Sequence, residues 1–246
     1  MTSSLPVEIF PSPNHGERQS GPTDILLLHY TGMPGPAEAA LHWLCNPRSE
    51  VSSHYFVFED GRVLSLVPED RRAWHAGTGS WAGASDVNSR SIGIEIANAG
   101  HPGGLPEFPD AQIDALIPLC RDIVGRHPIP PHRVLAHSDV APGRKLDPGE
   151  RFPWRRLAEG GVGHWVEPAS GGGGRFFSRG ESGQPIEALQ AMLALYGYGI
   201  AIDGEFGPRT EAVLAAFQRH FRPDRVDGIA DRATILTLRD LLTALP

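Results

Sequence analysis

Two histidines and one aspartate in this chain have the residue types and positions of a metal site. His29 ends the apolar run Asp24-Ile-Leu-Leu-Leu-His29, His137 ends the run Val134-Leu-Ala-His137, and Asp147 lies in the proline- and glycine-rich loop that follows. Because an α/β sheet presents functional groups at its strand ends, we expect the three side chains to meet. Two imidazoles and one carboxylate leave a position on zinc open to water, which the metal acidifies.

Each of these residues also has a purely structural interpretation. A single histidine at the end of an apolar strand is often a buried core residue, and an aspartate before Pro-Gly commonly forms a turn. The combination favours the metal site, because several other histidines lie in polar or proline-rich stretches without such a setting: His15, His101, His127, His132, His164 and His220.

Glu95 is the candidate general base. It is the charged residue of the apolar segment Ile92-Gly-Ile-Glu95-Ile-Ala-Asn98. If the strand were amphipathic, the carboxylate would simply face solvent. If both faces of the sheet are covered, the carboxylate must face a cleft, and burial would raise its pKa toward the range that acid–base catalysis needs.

Lys145 is the only lysine in a chain with 22 basic residues. An ammonium is a compact point charge, whereas the guanidinium of arginine spreads its charge over a planar fork. Lys145 lies eight residues after His137 and two before Asp147. A surface turn would explain it equally well in isolation, but beside a metal site it is suited to stabilise an oxyanion.

The elements that must position these residues follow from hydrophobic patterning. We expect strands where apolar residues are continuous or alternate and helices where they recur every three to four residues. The expected elements are a strand at 24–29, a helix at 36–45, a hairpin at 54–67, a strand at 91–97, a helix at 110–127 and a strand at 134–137. This order predicts an α/β fold with a mixed central β-sheet flanked by helices.

Glycine content divides the chain. Residues 169–180 contain four consecutive glycines, which predicts a flexible linker between a first domain at 1–168 and a second at 181–246. The second domain carries a repeat, because Asp203-Gly-Glu-Phe-Gly-Pro-Arg-Thr210 aligns with Asp227-Gly-Ile-Ala-Asp-Arg-Ala-Thr234. Three helices are expected there, and no cluster of catalytic residue types, so a binding module is predicted.

Composition excludes some functions. The net charge is −7, with 16 basic and 20 acidic residues up to position 180 and 6 and 9 after it, so nucleic acid is an unexpected partner for either part. No apolar run approaches the roughly 18–20 residues of a transmembrane helix. The N-terminal segment lacks a basic start and an apolar stretch, so no signal peptide is visible and the cytoplasm is predicted.

Five short motifs follow one another along about residues 20–155. They are Leu-Leu-His29-Tyr-Thr-Gly, Val51-Ser-Ser-His54-Tyr55, Ala73-Trp-His75-Ala-Gly77, Ile92-Gly-Ile-Glu95 and His137-Ser-Asp with Gly143-Arg-Lys145-Leu-Asp147-Pro-Gly. In this order they resemble the motifs of the zinc-dependent N-acetylmuramoyl-L-alanine amidases of the AmpD/AmiD type.

The resemblance implies a fold, a reaction and roles. The fold would be that shared by these amidases and the peptidoglycan-recognition proteins. The reaction would be hydrolysis of the amide between muramic acid, or its anhydro form, and L-alanine of the peptidoglycan stem. His29, His137 and Asp147 would bind Zn²⁺, Glu95 would activate water and Lys145 would stabilise the oxyanion. His54, Tyr55 and His75 would lie at the substrate, with core packing or hydrogen bonding as the alternative for the two histidines.

The second domain resembles the peptidoglycan-binding module that accompanies such enzymes. The segments that carry this resemblance are Leu189-Gln190, Asp203 to Thr210 and Phe217-Gln218. Peptidoglycan or muropeptide fragments are therefore the expected partners, and a monomer is expected. A binding module suggests the cell envelope as the alternative to the cytoplasm. Two other functions remain open, namely a non-catalytic peptidoglycan-recognition protein and a zinc hydrolase of a different amide.

Overall fold

The computed structural model describes residue 5 and residues 7–171 and 176–245, and within these ranges the chain forms strands, α-helices and two short 3-10 helices. The strands are β1 Glu8–Ile9, β2 His15–Glu17, β3 Ile25–Tyr30, β4 Tyr55–Val57, β5 Val63–Ser65, β6 Arg71–Ala73, β7 Ser91–Ile96 and β8 Val134–Ala136. The helices are α1 Ala37–Leu44, α2 Val87–Arg90, α3 Asp110–Arg126, α4 His137–Val140, α5 Trp154–Glu159, α6 Gln184–Tyr196, α7 Pro208–Phe221 and α8 Arg232–Thr243.

A mixed six-stranded sheet lies at the centre, in the order β1-β5-β4-β7-β3-β8. Strands β4 and β5 are antiparallel, and the other neighbouring pairs of this sheet are parallel. Strands β2 and β6 form a separate antiparallel pair. The parallel strands β7, β3 and β8 end on the same side of the sheet, where functional side chains can converge.

The two faces of the sheet are covered by different elements. Alternate residues of β3 and β7, such as Leu26 and Ile92, pack in one apolar cluster with Ile113 and Leu116 of α3. The opposite face carries His29 and its cross-strand neighbour Glu95. Since successive side chains of a strand point to opposite faces, the continuous apolar run of β3 is buried on both faces of the sheet.

The predicted mixed sheet and its main helices are confirmed, with one correction at a proposed ligand. His137 does not end strand β8; it is the first residue of the four-residue helix α4. The short strands β1, β2 and β6 and the helices α2 and α5 were not predicted. They contain two to six residues, which is too few for a periodic pattern.

The repeat in the C-terminal helical unit, residues 176–245, has a structural basis. The amide nitrogen of Gln190 donates to Asp203 Oδ1 at 2.7 Å, and its amide oxygen accepts the backbone N–H of Asp203 at 3.0 Å. Gln218 makes the equivalent contacts with Asp227, both at 3.0 Å. Each glutamine therefore ties one Asp-Gly turn to the preceding helix, and these repeated residues stabilise the unit.

The C-terminal helical unit shares an apolar core with the sheet, and its helix α7 packs against α4. One buried apolar cluster contains Leu27 and Leu135 of the sheet together with Leu193 of α6 and Phe217 of α7. Of the predicted linker 169–180, residues 172–175 lie outside the described residues, so the structure does not test that part. None of the helices in the described ranges is long and apolar enough to cross a bilayer.

Candidate active site

Three potential ligand atoms meet at the ends of β3 and β8. Nδ1 of His29 lies 2.9 Å from Nδ1 of His137 and 2.9 Å from Oδ2 of Asp147, and the last two atoms are 3.0 Å apart. All three residues are at most 6% exposed. The structure thus brings together the side chains that the sequence predicted as metal ligands, from positions up to 118 residues apart.

The other ring nitrogens of the two histidines have partners that define the tautomers. Nε2 of His137 donates to the carbonyl oxygen of Ala76 at 2.9 Å. Nε2 of His29 lies 3.1 Å from Nδ1 of His75. The hydroxyl of Ser91 donates to a backbone carbonyl and lies 3.3 Å from Nε2 of His75, so it accepts from that nitrogen. His75 Nδ1 is then an acceptor, which makes His29 Nε2 a donor.

This assignment leaves both Nδ1 atoms unprotonated beside a carboxylate. Burial, followed by the charge of His137, lowers the pKa of His29 to about 4. Burial and the charge of His29 lower the pKa of His75 well below its ordinary value. At neutral pH His29 is therefore a neutral imidazole, the form of histidine that binds a metal.

The donor set fits zinc. Three acceptor atoms face one another without a proton between them, an arrangement that a cation relieves. Tetrahedral zinc with bonds of about 2.0–2.1 Å has ligand atoms roughly 3.3 Å apart, close to the separations found here. The hydrogen bonds from the outer nitrogens to Ala76 and His75 fix ring orientation, as in protein zinc sites generally.

Glu95 lies beside this cluster. It pairs with His29 across the parallel strands β3 and β7 and with Phe56 on its other side, so it shares the face of His29. Burial raises the pKa of Glu95 well above its ordinary value, with the Asp147 charge adding to it and Lys145 opposing it. Its Oε2 is buried and has no hydrogen-bond partner among the described residues. The carboxylate therefore faces the cleft rather than bulk solvent.

Lys145 lines the same cavity. Its backbone N–H donates to the carbonyl of Ala141 at 3.1 Å, which holds the loop at the end of α4. Within the described ranges no carboxylate lies within salt-bridge distance of its ammonium, so the charge is available to a ligand. Neighbouring Arg144 is used differently, because its guanidinium donates to the carbonyl oxygens of Ala76 and Thr78 at 2.6 and 2.5 Å.

The cavity has a volume of about 560 Å³, a size suited to a small glycopeptide. The three ligand residues, Glu95, Lys145 and His75 line it. Its rim includes apolar side chains that are exposed to solvent: Met33, Trp43 and Leu146. These give the cleft apolar surface beside its charged centre.

Neither His54 nor Tyr55 is among the residues that line the cavity, and their contact with substrate stays a prediction. His54 is fully buried, and its Nδ1 accepts the backbone N–H of Gly93 at 2.9 Å. Tyr55 points to the other face of the sheet, where its hydroxyl donates to Glu69 at 2.6 Å. Both side chains therefore make hydrogen bonds in the interior, which for His54 is the alternative that the sequence left open.

His75 contacts a proposed ligand, a partner that sequence reasoning did not name. It lines the cavity, so its predicted contact with substrate stays a prediction, and it also lies against His29 and packs on Gly93, where an added Cβ would lie 2.5 Å from the His75 ring. Its backbone N–H donates to Asn88 Oδ1 at 3.0 Å, which fixes the segment. Ser91 and Gly93 are two residues apart in β7, so the sequence predicts that they lie on the same face of the sheet. No pattern in the sequence around them indicates that His75 packs on that face.

Two sequence families match the chain. The N-acetylmuramoyl-L-alanine amidase family matches residues 19–150, and a putative peptidoglycan binding domain matches residues 182–238. The N-acetylmuramoyl-L-alanine amidase AmiD of Escherichia coli is 40% identical over 226 residues, which are 85% of this chain and 79% of that protein. The 1,6-anhydro-N-acetylmuramyl-L-alanine amidase AmpD of Enterobacter cloacae is 34% identical over 54% of this chain and 78% of its own length.

Solved structures agree with these matches. Escherichia coli AmiD in complex with anhydro-N-acetylmuramic acid-L-Ala-D-gamma-Glu-L-Lys superposes with a TM-score of 0.77 at 36% identity, covering 94% of this chain and 98% of that one. AmpDh3 of Pseudomonas aeruginosa with anhydromuramic pentapeptide gives a TM-score of 0.71 at 30% identity, covering 94% and 93%.

Proposed function

Because the chain belongs to the N-acetylmuramoyl-L-alanine amidase family, we propose that it hydrolyses the amide between N-acetylmuramic acid, or its anhydro form, and L-alanine of the stem peptide. The observation that carries this proposal is the convergence of His29, His137 and Asp147 beside the unpaired carboxylate of Glu95 in one cavity. A ligand set, a base and an open cleft are the parts that a metal-dependent amide hydrolysis needs.

The three ligands would hold Zn²⁺, which when bound acidifies water and polarises a carbonyl. Glu95 takes the proton of the attacking water as the oxygen–carbon bond forms. It then delivers that proton to the nitrogen as the carbon–nitrogen bond breaks, so the stem peptide leaves with a free amine. Its raised pKa and unpaired Oε2 suit a group that must both accept and return a proton.

Lys145 stabilises the negative charge that develops on the carbonyl oxygen. Its ammonium has no carboxylate partner among the described residues and faces the cavity, so its charge is not neutralised before substrate arrives. A fixed charge in an enclosed site contributes more than the same charge in water, because the local dielectric constant is low.

Mass spectrometry tests this function directly. The zinc-loaded protein and a chelator-stripped sample are incubated with anhydro-muropeptide and with the corresponding N-acetylmuramoyl peptide. Free stem peptide should appear with the zinc-loaded sample alone. If muropeptide binds but stays intact after prolonged incubation with zinc-loaded protein, the chain is a recognition protein instead.

We propose that the C-terminal helical unit also binds the cell wall, because it matches a putative peptidoglycan binding domain. Co-sedimentation of the full chain with insoluble peptidoglycan tests it. We also propose a monomer acting in the cytoplasm, with the cell envelope as the alternative compartment. Light scattering and cell fractionation with an antibody to this chain decide these two points.

A further inference from the structure

Asp139 is a fully buried carboxylate two residues beyond the proposed ligand His137. Its Oδ1 accepts the hydroxyl of Tyr198 at 2.8 Å, and its Oδ2 lies 2.6 Å from Nδ1 of His220. Both side chains come from the C-terminal helical unit, His220 from α7 and Tyr198 from the segment after α6. A carboxylate buried this deeply needs such partners, because leaving it unpaired is costly.

The same carboxylate fixes the backbone that carries two proposed ligands. Oδ2 of Asp139 accepts the backbone N–H of Ala136 at 2.8 Å, at the point where β8 turns into α4 and His137 begins the helix. The next residue, Ser138, donates its backbone N–H to the carbonyl oxygen of Asp147 at 3.0 Å. Helix α4 therefore links the two ligands, and Asp139 links α4 to the C-terminal helical unit.

The surrounding contacts hold both partners of Asp139 in place. The ring of Tyr198 lies edge-on to Trp81 with centroids 4.9 Å apart, and the ring of His220 stacks on Trp154 at 3.7 Å. Arg209 of α7 donates to the carbonyl of Pro142, just after α4, at 3.1 Å. The junction is therefore a packed, hydrogen-bonded interface and not a loose contact.

We infer that Tyr198 and His220 are positioning residues of the metal site, so that the C-terminal helical unit completes this site in addition to any binding of the cell wall. The inference rests on the metal site of the proposed function. Through Asp139 the two side chains hold α4, and α4 sets where His137 and Asp147 stand. Neither residue touches the metal position or the cleft.

The test uses the full chain with Tyr198→Phe and His220→Phe, which remove the two donors and keep the ring packing. Zn²⁺ affinity is measured by chelator competition, ligand geometry by the Co²⁺ absorption spectrum, and folding by melting of the chelated protein. We expect a loss of zinc affinity of about 10-fold or more for each variant, in the range found for outer hydrogen bonds of metal sites, with a changed Co²⁺ spectrum. His220→Asn, which can present a donor near the position of Nδ1, should recover part of the loss.

Tyr196→Phe is the matched control. Tyr196 is equally buried in the same unit, but its hydroxyl contacts His164 Nδ1 at 2.9 Å and not Asp139. It should leave the zinc affinity and the Co²⁺ spectrum unchanged, even if the melting temperature falls. Zinc affinities of Tyr198→Phe and His220→Phe within about twofold of the unmodified protein, or equal to the control, would overturn the inference. Failure of the unmodified protein to bind zinc would overturn the metal site itself and the inference with it.

Discussion

Nε2 of His29 faces Nδ1 of His75 at 3.1 Å, and this contact decides which nitrogen of His29 faces the cavity. The hydroxyl of Ser91 is committed to a backbone carbonyl as donor, so it can only accept from His75. Hydrogen bonding along the chain Ser91–His75–His29 therefore places one proton on Nε2 of His75 and one on Nε2 of His29. His75, which is not a proposed ligand, thus leaves Nδ1 of His29 free to bind the metal.

Replacement of His75 by Phe should weaken zinc binding by about 10- to 100-fold, because the outer hydrogen bond of His29 is lost while ring volume is kept. His75→Asn can still accept from His29 and should recover part of the affinity. Chelator competition provides the measurement.

His54→Asn is the control for His75, since His54 is buried next to it with ring centroids 5.6 Å apart and an asparagine oxygen can still accept from Gly93. This variant should lose stability without losing zinc affinity. Equal zinc affinity of His75→Phe and the unmodified protein would show that His29 needs no outer partner.

Replacement of Glu95 by Gln should lower kcat by about 10²- to 10⁴-fold, the usual contribution of a positioned general base, while zinc content stays near one ion per chain. The amide has the shape of the carboxyl but cannot take the water's proton. Turnover is followed as release of stem peptide, and bound zinc by elemental analysis. Turnover near that of the unmodified protein would remove Glu95 from the mechanism.

The stability of the metal-free protein should depend on pH through Glu95. Because its folded-state pKa lies well above the ordinary value of 4.5, the folded protein holds this proton more tightly than the unfolded chain. Stability is therefore lost as pH rises from about 4.5 to the raised pKa, and the loss is complete above it.

Glu95→Gln removes this dependence. At pH 8 the metal-free variant should melt about 2–4 °C or more above the unmodified protein, and near pH 4 the two proteins should melt at the same temperature. Differential scanning calorimetry of both chelated proteins across this range measures the difference. A constant difference at all pH values would mean that Glu95 does not carry the raised pKa.

The sequence predicted the sheet strands that carry His29 and Glu95 because their apolar patterns are long enough to read. The convergence of the three candidate ligands was predictable for the same reason, since His29 lies near the end of β3, His137 directly follows β8, and Asp147 lies in the adjoining loop. His137 was placed on the wrong element because a four-residue helix leaves no periodic signal.

The contacts between the sheet and the C-terminal helical unit were beyond sequence reasoning. Tyr198 lies 59 positions from Asp139, and no local pattern connects them. The run of glycines indicated separate domains, yet the apolar cluster that joins Leu135 to Phe217 crosses the proposed boundary. The division into two domains stays a prediction. The two parts share one apolar cluster, which could not be predicted from the composition of the chain.

Replacement of Lys145 by Arg should lower kcat by about 10-fold, and Lys145→Met by about 100-fold, with little change in KM or zinc content. Methionine keeps much of the side chain's length but removes the charge. Arginine keeps the charge but distributes it over a fork too broad for the place of a compact ammonium. The order of the three proteins distinguishes the explanations, because a general electrostatic effect would leave Arg equal to Lys. Full activity of both variants would return Lys145 to the role of an ordinary residue in a surface turn.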